Sequence, residues 1–197
     1  MNRREAIKRT TLWTGAGLLA PGIFAALQSC ANRDPELDWK PLVLTPEQVV
    51  QLDTLADTIV PQTHSPSASQ VRVSEFIDLI MSDVITDDQS ESVHHVLHQL
   101  EAFSKSRKAQ SFTDLTPEEC SDLVGFIDSA AFSDEQTDEM NPKFLTDYRY
   151  LKSLILMAYF TSEEGVKQNL EYVVIPGEFE SCIDLPADGK IMVGNHM

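Results

Sequence analysis

Three histidines on one predicted helix, His94, His95 and His98, come closest in type and spacing to doing chemistry. Two histidines four apart on a helix share a face, so His94 and His98 can offer two imidazoles to one metal ion. If Val93, Leu97 and Leu100 face the core, the histidines stand on the solvent side with Glu91 and Glu101 nearby. Such a patch, with no distant further ligand, also reads as an ordinary polar face. A stand-alone exported lipoprotein that binds a metal or small ligand through this cluster is therefore one reading the residues leave open. Other signatures are missing. There is no G-x-S-x-G, no cysteine with an obvious histidine partner, no C-x-x-C-H for haem, no G-x-G-x-x-G loop and no P-loop. His64 and His196 stand alone in a predicted loop and tail. With so many acids, carboxylate pairs arise by chance and carry no weight. No catalytic or cofactor-binding residue is assigned, and the residues read as a non-catalytic chain.

The chain carries three cysteines, and the first belongs to an address. Arg3-Arg4, Lys8 and Arg9 precede an apolar run of 16 residues from Leu12 to Leu27, and Leu27-Gln28-Ser29-Cys30 follows. The run is shorter than the ~20 apolar residues a spanning helix needs, and Pro21 interrupts it. Asn2-Arg3-Arg4-Glu5-Ala6-Ile7-Lys8 fits the twin-arginine export pattern S-R-R-x-F-L-K at both arginines, the second aliphatic place and the lysine, with Ala6 where phenylalanine is usual. An ordinary secretory signal with a chance arginine pair is the blander alternative. Leu27 to Cys30 reads as a lipoprotein cleavage box, which makes Cys30 the lipidated first mature residue. The expected location is the periplasmic side of the cell envelope, lipid-anchored to a membrane. The twin-arginine route carries folded cargo, so the leader also hints at a companion. Cys120 and Cys182 then remain, and an oxidising compartment allows either a bridge between them or two separate thiols.

Charge narrows the partners. Removing residues 1–29 takes away four basic residues and one acid, leaving 11 basic against 30 acidic residues and a net charge of −19. Nucleic acid and anionic headgroups repel such a surface, whereas a basic patch on another protein attracts it. A hydrophobic content of 42% is globular, which excludes wholesale disorder.

These residues must be positioned by helices. Residues 30–43 read as a tether, and 44–197 as one domain whose tail begins near residue 172. Thr45-Pro46-Glu47-Gln48 starts a helix that Pro61 stops, with Val49, Leu52, Leu55, Ala56 and Ile59 at helical spacing. Ser74 can cap a second, with Phe76, Ile77, Leu79, Ile80 and Val84 apolar, ending near Asp87-Asp88. A third is predicted over 90–104 and a fourth from Thr116 onward. The strongest runs from Pro142 to Thr161, and its second half, Leu151 to Phe160, is apolar nearly all round, as in a central buried helix. A short helix follows Ser162. Pro176-Gly177, Pro186 and Gly189 then predict an irregular, loop-rich tail, suited either to wrapping a partner or to being a free end. The fold class is mainly α, with about five to six helices.

Two stretches carry a family likeness. The first is Leu44-Thr45-Pro46-Glu47 through Leu55-Ala56-Asp57-Thr58-Ile59-Val60-Pro61, then Pro66 and Val73-Ser74-Glu75-Phe76-Ile77-Asp78. The second is Leu154 to Ser162 with Glu163, followed by Tyr172 and Pro176-Gly177-Glu178-Phe179-Glu180-Ser181-Cys182. Together with the leader, the chain resembles the gluconate 2-dehydrogenase subunit 3 family, the small subunits of membrane-associated flavin-dependent sugar and polyol dehydrogenases. The resemblance implies a partner: a large flavoprotein of the glucose-methanol-choline type that holds FAD and passes electrons to a cytochrome c or a quinone. This chain would hold no cofactor and would escort and stabilise the flavoprotein. The lipid on Cys30 would add an anchor. Apolar faces that the small core does not use should cover the partner, and Tyr159, Phe160 and Tyr172 are the residues expected near that interface, with burial in the core as the alternative.

Overall fold

A computed structural model describes residues 37–133, 140–173, 182, 184 and 190–194. Its helices are α1 (Pro46–Ile59), α2 (Val73–Asp83), α3 (Asp87–Lys108), α4 (Pro117–Phe132), α5 (Pro142–Thr161) and α6 (Glu163–Asn169), with a single 3-10 turn at Phe112–Asp114 before α4. The fold is mainly α, as its periodicity dictates. The candidate export and lipidation residues Arg3, Arg4, Lys8 and Cys30 lie outside the described residues.

Local chemistry sets the helix starts. Thr45, Thr86 and Thr116 each accept a hydrogen bond from the backbone amide three residues on, while the side chains of Gln48, Gln89 and Glu119 accept one from the backbone amide of the capping threonine. Proline stands in the first turn of α1, α4 and α5, where its missing N–H has no helical partner to lose. Several boundaries differ from expectation: α2 ends at Asp83 rather than near Asp87-Asp88, and α3 runs on to Lys108 rather than to residue 104. The third helix starts at Asp87 rather than near residue 90, because Thr86 and Gln89 close a capping box. Ser74 does not cap α2. Arg72 occupies the N-cap position in a left-handed conformation (φ 59°) without a side-chain capping bond, and the Ser74 hydroxyl instead donates to Asp53 on α1 at 2.6 Å.

The helices bury one continuous core. Val49, Leu52 and Leu55 of α1, Ile77 of α2, Val93, Val96, Leu97 and Leu100 of α3, Ile127 of α4, and Leu151 and Ile155 of α5 belong to it. The most extensive helix contact is between α3 and α5, which places α5 at the centre. Its second half is nonetheless one-sided. Leu154, Ile155, Ala158 and Tyr159 are buried, whereas Met157 and Phe160 are exposed. Apolar composition all round the helix does not bury all of it here. Among the described residues, no helix is long and apolar enough to cross a membrane.

Ser162 ends α5 and caps α6, its hydroxyl oxygen accepting from the Gly165 amide at 3.1 Å. A methyl group on Gly165 would lie 2.1 Å from the Tyr159 carbonyl oxygen and 2.7 Å from the Ser162 hydroxyl. The corner between the two helices therefore closes only around glycine. Gly165→Ala is expected to lower unfolding stability by about 1–3 kcal/mol through forced displacement of the corner. Urea denaturation checks this, and a midpoint equal to the wild type's would sink it.

After α6 the described residues hold two short strands. Leu170–Val173 (β1) pairs in parallel with Ile191–Gly194 (β2), Leu170 opposite Ile191. Pro176, Gly177, Pro186 and Gly189 all fall between the two strands, so neither strand has to accommodate them.

Candidate functional site

The carboxylates and hydroxyls of the first likeness stretch turn out to hold the chain's irregular segments. Asp78 on α2 is 1% exposed, and its carboxylate accepts from the amides of Leu42, Val43 and Leu44 at 2.7, 3.0 and 2.8 Å. Asp57 on α1 accepts from the Ser69 amide (2.7 Å) and hydroxyl (2.6 Å), which folds the 60–72 loop back onto α1. Burial pushes the neighbouring Asp53 carboxyl up, against the hydrogen bond from Ser74 and with a further push from the Asp57 charge. From the second stretch, Tyr159 sends its hydroxyl to the Pro66 carbonyl oxygen at 2.9 Å and accepts from Asn169 at 3.2 Å. Residues far apart in the chain thus meet around one loop.

Tyr159 is consequently a core residue. It is 1% exposed, so its expected place at an interface is corrected: the hydroxyl is spent on Pro66 and the ring is enclosed by its own helices. Phe160 is 42% exposed, its ring set edge-on to Tyr159 at 5.2 Å between centroids. Tyr172 lies in β1, and its side chain is outside what the structure describes.

The histidine cluster is divided between two neighbours. His94 Nδ1 lies 3.1 Å from the Gln48 amide nitrogen on α1, while His95 Nδ1 lies 2.6 Å from Asp147 Oδ2 on α5. Only His98 is exposed, so the expectation that all three share a solvent face is corrected. The cause is that α3 packs between α1 and α5, and adjacent residues point to different sides. Among the described residues, no three His, Cys, Asp or Glu side chains gather around a point where an ion could sit.

Asp147 ties α3 to α5 through His95 and receives Lys143 Nζ at 2.6 Å. Burial by itself pushes this carboxyl up, but the hydrogen bonds from Lys143 and His95, with the Lys143 charge, outweigh it and hold the group below the usual carboxylate range. A depressed carboxyl contributes stability that is fully present above its unfolded pKa and lost as pH falls through the native one. Asp147→Asn should therefore be less stable than wild type at neutral pH, and the gap should narrow as pH drops below the ordinary carboxylate range. Thermal melts of both proteins across that interval check it; a gap that stays constant or widens would contradict the assignment.

Cys120 and Cys182 are both free thiols, which corrects the bridge considered from composition. Cys120 points inward from α4, its Sγ 3.8 Å from the Phe112 carbonyl oxygen, whereas Cys182 is exposed. Burial, and then the Glu119 charge, pushes the Cys120 thiol above its ordinary value, so it is a packing group rather than a reactive one.

What remains unspent is an apolar groove. It encloses about 330 Å³ between α2 and the end of α5, and Val71, Phe76, Leu79, Ala158 and Thr161 are among its lining residues. Phe76 is 40% and Leu79 47% exposed. Met157, one turn before Thr161 and 43% exposed, extends the apolar strip along α5. Phe76 and Leu79 are two of the apolar residues that the sequence places on the second helix. At 100° per residue Leu79 falls well away from Val73, Ile77 and Ile80, while Phe76 stands at the edge of their stripe.

The described residues thus form a helical domain whose polar interior groups brace loops and which leaves an apolar groove between α2 and α5. The chain belongs to the gluconate 2-dehydrogenase subunit 3 family, whose model matches residues 46–177, more than half of its length. No curated protein and no solved structure is similar enough to count as a match.

Proposed function

We propose that this chain is the non-catalytic small subunit of a flavin-dependent sugar or sugar-acid dehydrogenase complex. In this reading it escorts and stabilises a large FAD-holding flavoprotein of the glucose-methanol-choline type, and a cytochrome c or a quinone takes the electrons. The carrying observation is membership of a family described as a dehydrogenase subunit, over residues 46–177. Support comes from how the domain spends its polar groups. Asp57, Asp78 and Asp147 are each committed to backbone amides or to a neighbouring helix. The leader supplies the rest of the reading. Arg3-Arg4 suits export of an already folded, cofactor-loaded companion, and a lipid on Cys30 would hold the pair on the periplasmic side of a membrane. The multiple acyl chains of a bacterial lipoprotein anchor stably where a single chain binds only marginally.

The test is isolation of the tagged full chain from its native membranes. A flavoprotein should accompany it in fixed ratio, visible as a flavin absorption band assigned to the larger polypeptide. Lysines in place of Arg3 and Arg4 should strand both proteins in the cytoplasm, and Cys30→Ala should release both from the membrane. A chain isolated without a flavoprotein, or one that itself carries the flavin, would overturn the proposal.

A further inference from the structure

We infer that the groove between α2 and α5 is where this chain docks its dehydrogenase partner, and that the partner meets it with an apolar projection framed by lysine and arginine. The inference rests on the subunit reading above and adds the surface and its chemistry.

Exposed apolar area is distributed unevenly. Of the eight large apolar side chains exposed among the described residues, seven lie on α2, in the segments next to it, or on the last turns of α5. Leu42 and Val43 belong to the stretch that Asp78 ties to α2, Phe76 and Leu79 stand on α2, Val84 follows it, and Met157 and Phe160 stand on α5. The eighth, Phe132, is already accompanied by Lys152 and Arg149, with their charged atoms 5.0 and 5.9 Å from its ring centre. Of the seven, Phe76 and Leu79 line the groove and Met157 stands one turn from the lining Thr161, and an exposed apolar strip of this kind marks an interaction face.

The rim decides what fits. Glu75 lines the groove, Asp83 lies one turn beyond Leu79, and Glu163 and Glu164 follow directly after Ser162, another lining residue. Arg72 also lines the groove and is paired with Asp38 at 2.5 Å and Glu75 at 2.8 Å, and Lys167 is paired with Glu163, so two cations stand against Asp38, Glu75, Asp83, Glu163 and Glu164 and the rim is acidic on balance. An apolar strip with an acidic rim selects a partner of opposite rim charge. A second copy of this chain would set acid against acid, in a protein whose formal net charge is −16. Anionic lipid is repelled for the same reason. Both walls are braced beforehand, α2 through the bonds of Ser74 and Asp78 and the end of α5 through Tyr159 and Pro66, so little ordering is needed on docking.

The experiment co-expresses the full chain with the flavoprotein subunit and measures their affinity after purification. Leu79→Glu and Met157→Glu should each weaken binding by at least about thirtyfold, the loss typical of one central hot-spot side chain. Phe132→Ser, away from the groove, should leave it unchanged. Far-UV circular dichroism and thermal melts of the free chain verify that each variant folds, since both groove side chains are already half exposed. Wild-type binding should weaken as salt is raised. If wild type binds and both groove variants bind equally well, the surface is wrong and the subunit role stands. If wild type fails to bind any flavoprotein subunit, both fall. A homodimer of wild type that Leu79→Glu dissolves, or partner binding indifferent to salt, would overturn the assignment of occupant.

Discussion

Asp78→Ala is expected to lower unfolding stability by about 3–5 kcal/mol, a large share of what holds a domain of this size. One carboxylate satisfies three consecutive amides, Leu42 to Leu44, and its removal orphans them together. Hydrogen bonds to a charged acceptor are stronger than neutral ones, and at least the Leu44 bond is wholly buried, where water cannot replace it. The melting temperature should fall by roughly 10 °C, at about 2–4 °C per kcal/mol for a domain of this length. Asp78→Asn keeps a carbonyl acceptor of similar shape and should lose only part of that. Differential scanning calorimetry checks the pair. An alanine variant that melts with wild type would mean that the 42–44 segment contributes nothing to the fold.

Tyr159→Ala should cost about 3–5 kcal/mol, as truncation of a buried aromatic does. The ring fills space at the end of α5, and the hydroxyl joins the Pro66 carbonyl to Asn169. Tyr159→Phe keeps the packing and drops only the polar link, so about 1 kcal/mol is expected. The contrast distinguishes a core residue from an interface residue. Chemical denaturation of the isolated chain should already show the whole alanine effect, without any partner present. If the isolated alanine variant were as stable as wild type and only partner capture suffered, Tyr159 would return to the interface.

Several of these features were legible in the residues and several were not, and the division follows distance along the chain. Helix starts are local: Thr45, Thr86 and Thr116 need only a partner three residues on, and the proline that follows Thr45 and Thr116 needs none. The third start was still missed by a turn, because the apolar stripe begins at Val93 while the capping pair lies earlier. Ser74 was misread because it has the chemistry of a cap, yet its partner Asp53 lies 21 residues away. His95 was placed in solvent because nothing near it in sequence announces Asp147, 52 residues on. Tyr159 and Pro66 are separated by 93 residues, and no periodicity connects them.

The sequence by itself determined a mainly helical domain, the helix starts at Thr45 and Thr116, and a strongly acidic balance, with no recognisable catalytic motif. It also carried the family likeness in its proline-bounded first helix and the stretch around Tyr159. Only the tertiary structure decided which acids brace loops, which histidines part company, and which apolar residues are left over. Phe76, Leu79 and Met157 have the same composition as their buried neighbours. Whether such a side chain is covered depends on where the adjoining helix packs, and that is a property of the whole fold rather than of any segment.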